Sequence, residues 1–270
     1  MKSTVRILII LAAALAASAA IYFWTPEIIF SGRPAWQEKR KEVRSRLLSI
    51  PILLYHNIDG KGVFSIDSDV LASHFNLFRD AGVRVIPLSE LVARLENPHA
   101  FDGKSAVITF DDGFYSMYSK LYPLARDYGY PVTLFAYTDF IYRNGKSVMT
   151  WDMLRELDKN GIDVQCHSIS HIDLAELSQN DDSETRKKLY DELYLSKRII
   201  EIQLGKKVDF FAFPYGRYNL KLIDLCMLAG YRRVFSTDYG SNIITRDNYS
   251  LSRQHIKRGF TLQFIERFLR

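Results

Sequence analysis

Hydrophobic and polar positions alternate in a regular way through most of the chain. From Pro51 onward, short runs rich in β-branched and aromatic residues are each followed by a loop and then by a stretch with helical periodicity. This order is typical of βα units, in which crossover helices join parallel strands. The sequence predicts seven strands, at Ile52–Tyr55, Val83–Ile86, Ala106–Phe110, Val132–Tyr137, Ile162–Cys166, Phe210–Phe213 and Arg233–Ser236.

Helical stretches fill the intervals between these strands. Several end in a glycine, as at Gly82, Gly129 and Gly230, and a glycine after a helix supplies the left-handed residue that closes the last turn. The sequence predicts helices around Val70–Asp80, Ser89–Leu95, Tyr118–Tyr128, Met153–Lys159, Glu184–Leu204 and Lys221–Ala229, and a last helix from Leu262 onward.

An open doubly wound sheet and a closed barrel both satisfy this order of elements. No GxGxxG or GxxxxGK[ST] motif follows any of the strands, which removes the commonest nucleotide-binding reason for an open sheet. We therefore expect an α/β fold, a (β/α) barrel of mainly parallel strands, over residues 50–270.

The N-terminus has a different pattern. Lys2 and Arg6 precede an uncharged apolar run, Ile7–Trp24, whose length is at the lower limit for a membrane-spanning helix. The same pattern describes a secretory signal, for which Ala17-Ser18-Ala19 offers a cleavage site. The run continues beyond that site with aromatic residues, which favours an uncleaved membrane anchor.

These patterns divide the chain into three parts. We expect residues 1–30 to form an N-terminal hydrophobic helix, a signal anchor or signal peptide, and residues 31–49 to form a basic helical spacer. Either form of the first segment places residues 50–270 outside the cytoplasm, at the cell membrane or secreted.

Composition adds little to this picture. The 270 residues are 47% hydrophobic and 25% charged, as in an ordinary globular protein. The net charge of +5 fits an anionic cell envelope as well as a nucleic acid, so the charge alone does not identify a partner. We expect no nucleic-acid partner. Cys166 and Cys226 form no CxxC motif and no disulfide framework, so we expect both to be free.

Polar residues gather where three of the predicted strands end. His56 follows the first strand, Asp111 and Asp112 follow the third, and His167 and His171 follow the fifth. The carboxyl ends of parallel strands face one rim of an α/β fold, and functional sites form there. Three of the six histidines of the chain therefore converge on one rim, whereas a chance distribution would scatter them.

This set of side chains suits a metal site. His167 and His171 are four positions apart, a spacing that lets two imidazoles reach one ion. With one carboxylate they make a three-ligand site for zinc or a similar divalent ion, which lowers the pKa of bound water and polarises a carbonyl. The second aspartate can then act as general base. Each motif alone is common in ordinary turns, but the two together favour a metal site.

Two motifs carry a resemblance to a known family. Thr109-Phe110-Asp111-Asp112-Gly113, followed by His167-Ser168-Ile169-Ser170-His171, resembles the polysaccharide deacetylases (NodB-homology domain, carbohydrate esterase family four). Leu54–Ile58 and Phe213–Asn219 are similar to the exported members that act on poly-N-acetylglucosamine-type polymers. The resemblance covers roughly residues 50–256 and implies a distorted (β/α) barrel with seven or eight strands.

The resemblance also implies a mechanism. One divalent metal ion, expected to be Zn²⁺ with Co²⁺, Ni²⁺ or Fe²⁺ as alternatives, would bind Asp112, His167 and His171. Asp111 would be the general base, and the backbone N–H of Tyr215 would help to hold the oxyanion. The implied activity is hydrolysis of the acetyl amide of N-acetylated sugars in a cell-wall or extracellular polysaccharide.

The chain departs from the family pattern at two places. Many members have an arginine that positions the base where this chain has Ala212, and Arg253 is our candidate replacement. Arg253 also occupies the position of the histidine that many members use as general acid, so the motifs do not assign the acid. We expect His56 in this role because it ends the first strand on the same rim, with His255 as the rival.

Two other functions are compatible with the sequence. The same metal chemistry would serve an O-acetyl polysaccharide esterase, which the released product would distinguish. A non-catalytic sugar-binding module on the same fold is the other alternative, but it has no need of a base beside three metal ligands. Tyr137, Trp151 and Tyr218 could stack on sugar rings, although we expect them to pack in the core.

Overall fold

The structure is a computed structural model that describes residues 50–96, 103–143, 145–238 and 249–268. The predicted N-terminal hydrophobic helix and basic spacer lie outside these residues. Across the described ranges, no helix combines the length and hydropathy needed to span a bilayer.

One sheet of parallel strands forms the centre of the described part of the chain. Its path is β8-β7-β6-β5-β4-β3-β1-β9, with β2 beside β3. The strands are β1 (Ile52–Tyr55), β2 (Arg84–Val85), β3 (Ser105–Asp112), β4 (Val132–Ala136), β5 (Ile162–Cys166), β6 (Phe210–Ala212), β7 (Arg233–Ser236), β8 (Ser250–Ser252) and β9 (Gln254–His255).

Arg253 alone separates β8 from β9. β8 pairs with β7 and β9 pairs with β1, so this one extended segment joins the two ends of the sheet. The sheet is therefore a nearly closed barrel, which confirms the predicted fold class. The sequence did not predict β8 and β9, because strands this short carry no readable alternation.

Helices surround the barrel. They are α1 (Ser68–Asp80), α2 (Leu88–Glu96), α3 (Tyr122–Tyr128), α4 (Thr138–Tyr142), α5 (Trp151–Lys159), α6 (Leu174–Leu177), α7 (Ser183–Tyr190), α8 (Ser196–Leu204), α9 (Leu220–Leu228) and α10 (Leu262–Phe268). A π-helical turn at Met117–Leu121 leads into α3, and a second one at Asp191–Leu195 joins α7 to α8. The short helices α4 and α6 were not predicted.

Alternate residues of several strands face two separate cores. Ala106, Ile108 and Phe110 of β3 pack in an outer core with the surrounding helices. Val107 packs in an inner core that gathers residues from strands all around the barrel, together with α2. Burial on both faces explains why strands such as β1 and β6 read as continuous apolar runs.

Helix α2 covers the amino end of the barrel. Its last residue, Glu96, pairs with Arg232 at 2.7 Å, directly before the start of β7. The inner core contains Leu88, Leu91, Val92 and Leu95 of this helix. The amino end of the barrel is thus filled with apolar side chains, and the carboxyl ends of the strands remain for polar residues.

Candidate active site and metal centre

A buried ion pair lies at the carboxyl end of β3. Nη1 and Nη2 of Arg253 donate to the two carboxylate oxygens of Asp111, each at 2.7 Å. The Arg253 Nε also donates to the Ser236 carbonyl at 3.3 Å, and its guanidinium lies 5.0 Å from the centre of the Phe135 ring. Arg253 is 1% exposed and Asp111 is 2% exposed.

The ion pair decides the charge of Asp111. Burial raises the pKa of this carboxyl, but the Arg253 guanidinium and His167 outweigh burial and hold the pKa well below its ordinary value. Asp111 is therefore ionised near neutral pH. The bidentate contact also fixes the plane of the carboxylate.

Asp112, His167 and His171 form a cluster beside this pair. Their ligand atoms all lie within 4.8 Å of one another. The Asp112 Oδ1 is 3.8 Å from His167 Nε2 and 3.5 Å from His171 Nε2. Thus the two strand ends and one loop bring together the three residues that the sequence motifs singled out.

The histidines of the cluster have the protonation that a metal requires. The Nδ1 of His167 lies 2.8 Å from the Ala212 carbonyl, which can only accept, so Nδ1 carries the proton and the Nε2 lone pair faces the cluster. Burial lowers the pKa of His167 to about 4 and also lowers that of His171. Both imidazoles are therefore neutral near pH 7.

Asp112 is only partly compensated, because the charge of Arg253 opposes but does not outweigh the effects of burial and of Asp111. Burial, followed by the charge of Asp111, raises the pKa of Asp112 to about 7. A cation in the cluster would relieve both effects. One carboxylate oxygen and two imidazole nitrogens are donors that zinc and related divalent ions accept, so the residues present fit a metal ion.

Backbone strain is concentrated around this cluster. Among the described residues, the non-glycine positions with positive φ are Asp112 (87°), Ser168 (76°), His171 (56°) and Tyr215 (58°). Such conformations persist only where the surrounding structure imposes them, and they occur preferentially at functional sites. Gly113 continues the turn at φ 116°, where an added Cβ would approach Ile141 to 2.8 Å.

Tyr215 lies in a short 3₁₀ turn, Pro214–Gly216, at the edge of the cluster. Its ring is 4.8 Å from that of His171, and its side chain is 62% exposed. The backbone hydrogen bonds of the turn run from Gly216 to Phe213 and from Arg217 to Pro214, so they do not use the Tyr215 N–H. Gly216 is obligatory because a Cβ there would lie 2.5 Å from the Thr237 nitrogen.

The two candidates for the general acid lie against each other. The rings of His56 and His255 stack at 4.8 Å, and the Phe64 ring contacts both, at 4.4 Å from His255 and 5.6 Å from His56. Within the described part of the chain, the buried His56 Nδ1 and His255 Nε2 have no hydrogen-bond partner. Burial lowers the pKa of His56 to about 4 and that of His255 to about 3, with Asp111 opposing the shift at both.

Sequence reasoning missed one residue of the site, Glu192. Its side chain is fully buried and accepts hydrogen bonds from the backbone N–H groups of Ile169 and Ser170, at 2.9 and 3.0 Å. In the sequence, Glu192 follows Lys188 by four positions, which reads as an ordinary surface pair on a helix. No local signal could have identified it.

The aromatic candidates have different surroundings. Tyr137, Trp151 and Tyr218 are partly buried and pack against the outer core, as expected. Tyr137 also lies 5.0 Å from the His171 ring, which places it next to the cluster.

Comparisons with known proteins agree with this geometry. The family model described as polysaccharide deacetylase matches residues 99–234. The Bacillus subtilis protein YxkH, whose name assigns it to the polysaccharide deacetylases, is 25% identical over 227 residues, covering 84% of this chain and 76% of that protein.

Solved structures share the fold. The Streptococcus pyogenes deacetylase PplD in complex with acetate has a TM-score of 0.73 and 22% identity, covering 82% of this chain and 98% of that one. A de-N-acetylase from Aggregatibacter actinomycetemcomitans has a TM-score of 0.70 and 23% identity, covering 82% and 99%. The resemblance indicated by the motifs is confirmed, and this chain belongs to the polysaccharide deacetylase family.

Proposed function

We propose that the protein is a metal-dependent hydrolase that removes acetyl groups from N-acetylated sugars, of the N-acetylglucosamine type, in a cell-envelope or extracellular polysaccharide. The observation that carries this proposal is the Asp112–His167–His171 cluster beside the buried Asp111 carboxylate. When bound by these three ligands, a divalent ion, expected to be zinc, would activate a water and polarise the acetyl carbonyl. A module that only binds sugar has no use for this arrangement.

In this proposal Asp111 is the general base. Its Oδ2 lies 3.7 Å from the His167 Nε2, so the carboxylate borders the ligand cluster. Arg253 occupies one lone pair of each Asp111 oxygen and leaves the others free to accept a proton from the attacking water. Arg253 thereby takes the orienting role for which the family more often uses a residue at the position of Ala212.

Two further groups complete the proposed mechanism. The Tyr215 N–H, which the turn leaves without a backbone acceptor, would donate to the oxygen on which negative charge develops. His56 would donate a proton to the leaving amine, because it ends β1 on the same rim. The name of the Aggregatibacter relative, a de-N-acetylase, supports the amide over the ester as substrate.

The first experiment measures acetate release. The full-length protein would be loaded with Zn²⁺ and incubated with N-acetylglucosamine oligomers, with His167→Ala and a chelator as controls. We expect release that both controls abolish, together with a free amine on the sugar. A free hydroxyl from an O-acetylated polymer would instead identify an esterase, and polymer binding without acetate release would reject the enzyme.

The general acid needs a separate test. We expect His56→Ala to lower kcat by about 10²-fold, because removal of a general acid typically has this effect. Unchanged activity in His56→Ala, with a loss in His255→Ala, would transfer the role to His255.

Export is a further part of the proposal. The apolar run Ile7–Trp24 with its basic flank supports a domain held on the outer face of the cytoplasmic membrane. We expect the full-length protein in the membrane fraction, with its N-terminus intact by mass spectrometry. Recovery of the uncleaved protein in the cytosolic fraction would reject this localisation.

A further inference from the structure

The segment between the two histidine ligands is a strained loop. Ser168 and His171 both have left-handed backbone conformations, at φ 76° and 56°. The N–H of His171 donates to the Ser168 hydroxyl at 3.1 Å, and the carbonyl of Ser168 accepts from the N–H of Thr138 at 3.2 Å. These bonds fix the two ends of the loop, but they do not involve the N–H groups of its middle residues, Ile169 and Ser170.

Glu192 binds that middle part. Its Oε2 accepts from the N–H groups of Ile169 and Ser170, and its Oε1 accepts from the Ser170 hydroxyl. Glu192 lies 23 positions after Ile169 and 22 positions after Ser170 in the sequence. The Glu192 side chain has no exposed surface, and removing it would leave the two part-buried N–H groups of Ile169 and Ser170 without this acceptor.

The carboxylate is itself held in place. Glu192 lies in the π-helical turn Asp191–Leu195, and a π-helical turn inserted into a helix often marks a functional position. The Lys188 Nζ lies 3.1 Å from its Oε1, and the Ser196 hydroxyl donates to its carbonyl at 2.6 Å. Glu192 is therefore a fixed acceptor rather than a mobile surface carboxylate.

We infer that Glu192 is a positioning residue for the metal site, holding the Ser168–Ser170 loop so that His171 reaches the same ion as Asp112 and His167. The inference rests on the proposed function. His167 has its own support, because it follows β5 and bonds the Ala212 carbonyl. The effect of losing Glu192 should therefore fall on His171 and on metal affinity.

Zinc affinity of the full-length protein, measured by competition with a chromogenic chelator, tests this inference without requiring activity. We expect Glu192→Ala to weaken zinc binding about 10- to 100-fold, the usual effect of losing a group that orients a ligand. We expect Glu192→Gln to remain within about threefold of wild type, because its amide oxygen can still accept both N–H groups.

Glu201→Ala is the matched control. Glu201 also accepts from a backbone N–H, that of Val208 at 3.2 Å, and pairs with Arg198 at 2.6 Å, but it lies on α8 away from the loop. We expect this variant to lose stability and to keep wild-type zinc affinity.

The outcomes separate the inference from the proposed function. Wild-type zinc affinity in a folded Glu192→Ala variant would overturn the inference alone. If Glu192→Ala does not fold, Glu192→Asp is the deciding variant, because it keeps the charge and withdraws the carboxylate oxygens by one methylene. We expect Glu192→Asp to bind zinc at least about fivefold more weakly than wild type. Unchanged zinc binding in this variant would overturn the inference. A wild-type protein that binds no zinc would overturn the metal site and the inference together.

Discussion

The two ends of the barrel interior differ in what they bury, although the same strands build both. Val107 and Asp111 lie on one face of β3, four residues apart. Val107 belongs to the barrel floor, which we define as the inner core at the amino end with Leu91 and the other apolar residues of α2. Asp111 belongs to the polar rim, which we define as the carboxyl ends of the strands with Asp112, His167, His171 and Arg253.

The difference lies in how each end is stabilised. The floor excludes water with side chains that need no partner, so its burial is favourable throughout. The rim buries charges and left-handed residues, each of which is unfavourable unless another group compensates it. A barrel can therefore derive its stability from the floor and tolerate strain at the rim, where chemistry needs it.

Of the variants that test this difference between floor and rim, Asp112→Asn should have the largest effect. We expect kcat/KM to fall about 10³- to 10⁴-fold, roughly 4–5.5 kcal/mol, because a charged ligand is lost. The metal-free variant should nevertheless be more stable than wild type at pH 8. The raised pKa of Asp112, about 7, makes wild-type stability fall as pH rises from about 4 to 7, and asparagine removes that loss.

Denaturant unfolding at pH 5 and pH 8 in the presence of a chelator measures this effect. A metal-free Asp112→Asn protein that is less stable than wild type at pH 8 would contradict the view that the ionised Asp112 carboxylate destabilises the metal-free fold.

Arg253→Met tests the compensated part of the rim. We expect the free energy of unfolding at pH 7 to fall by roughly 3–5 kcal/mol, because Asp111 would remain buried without its partner. The loss should be smaller at pH 5, since protonation of Asp111 would relieve the unpaired charge. Arg79→Met, which breaks the exposed pair with Asp80, should leave stability unchanged. Equal stability of the two variants would show that the buried Asp111 carboxylate does not need Arg253 as a compensating charge.

Leu91→Ala tests the floor. Leu91 is 1% exposed in the inner core, and we expect the free energy of unfolding to fall by roughly 3 kcal/mol through the cavity left behind. The kcat/KM of the zinc-loaded variant should stay within about twofold of wild type, because the rim is built on the opposite ends of the strands. Leu228→Ala, at a position 84% exposed, is the control for a leucine outside the core. A large loss of kcat/KM in Leu91→Ala would mean that floor and rim are not independent.

His255→Phe should have the smallest effect, and its sign is opposite to that of Asp112→Asn. Because burial lowers the pKa of His255 to about 3, unfolded chains take up a proton between about pH 6.5 and pH 3 that folded chains do not. Wild-type stability therefore falls as pH falls through this window, and phenylalanine removes that contribution. We expect the variant to lose about 1 kcal/mol less than wild type between pH 6.5 and pH 5. An identical slope in both proteins would show that folding does not lower the pKa of His255.

Much of the barrel could be predicted from the sequence because its information is local. The observed ends of β1, β5 and β7 coincide with the predicted ones, since each strand contains β-branched or aromatic residues and is bounded by polar residues, proline or glycine. The cluster of Asp112, His167 and His171 was also readable, because its members follow strand ends that parallel order brings to one rim. The N-terminal anchor and the catalytic roles remain predictions.

Tertiary structure alone decided which distant residues meet. The sequence offered Arg253 as a candidate for the base, but only barrel closure by β8 and β9 brings it to Asp111 across 142 positions. Glu192 gave no signal, because its partners are backbone N–H groups in another loop. Sequence patterns report which face of an element is buried, whereas a hydrogen bond between distant segments depends on how the elements pack, and packing is a property of the whole fold.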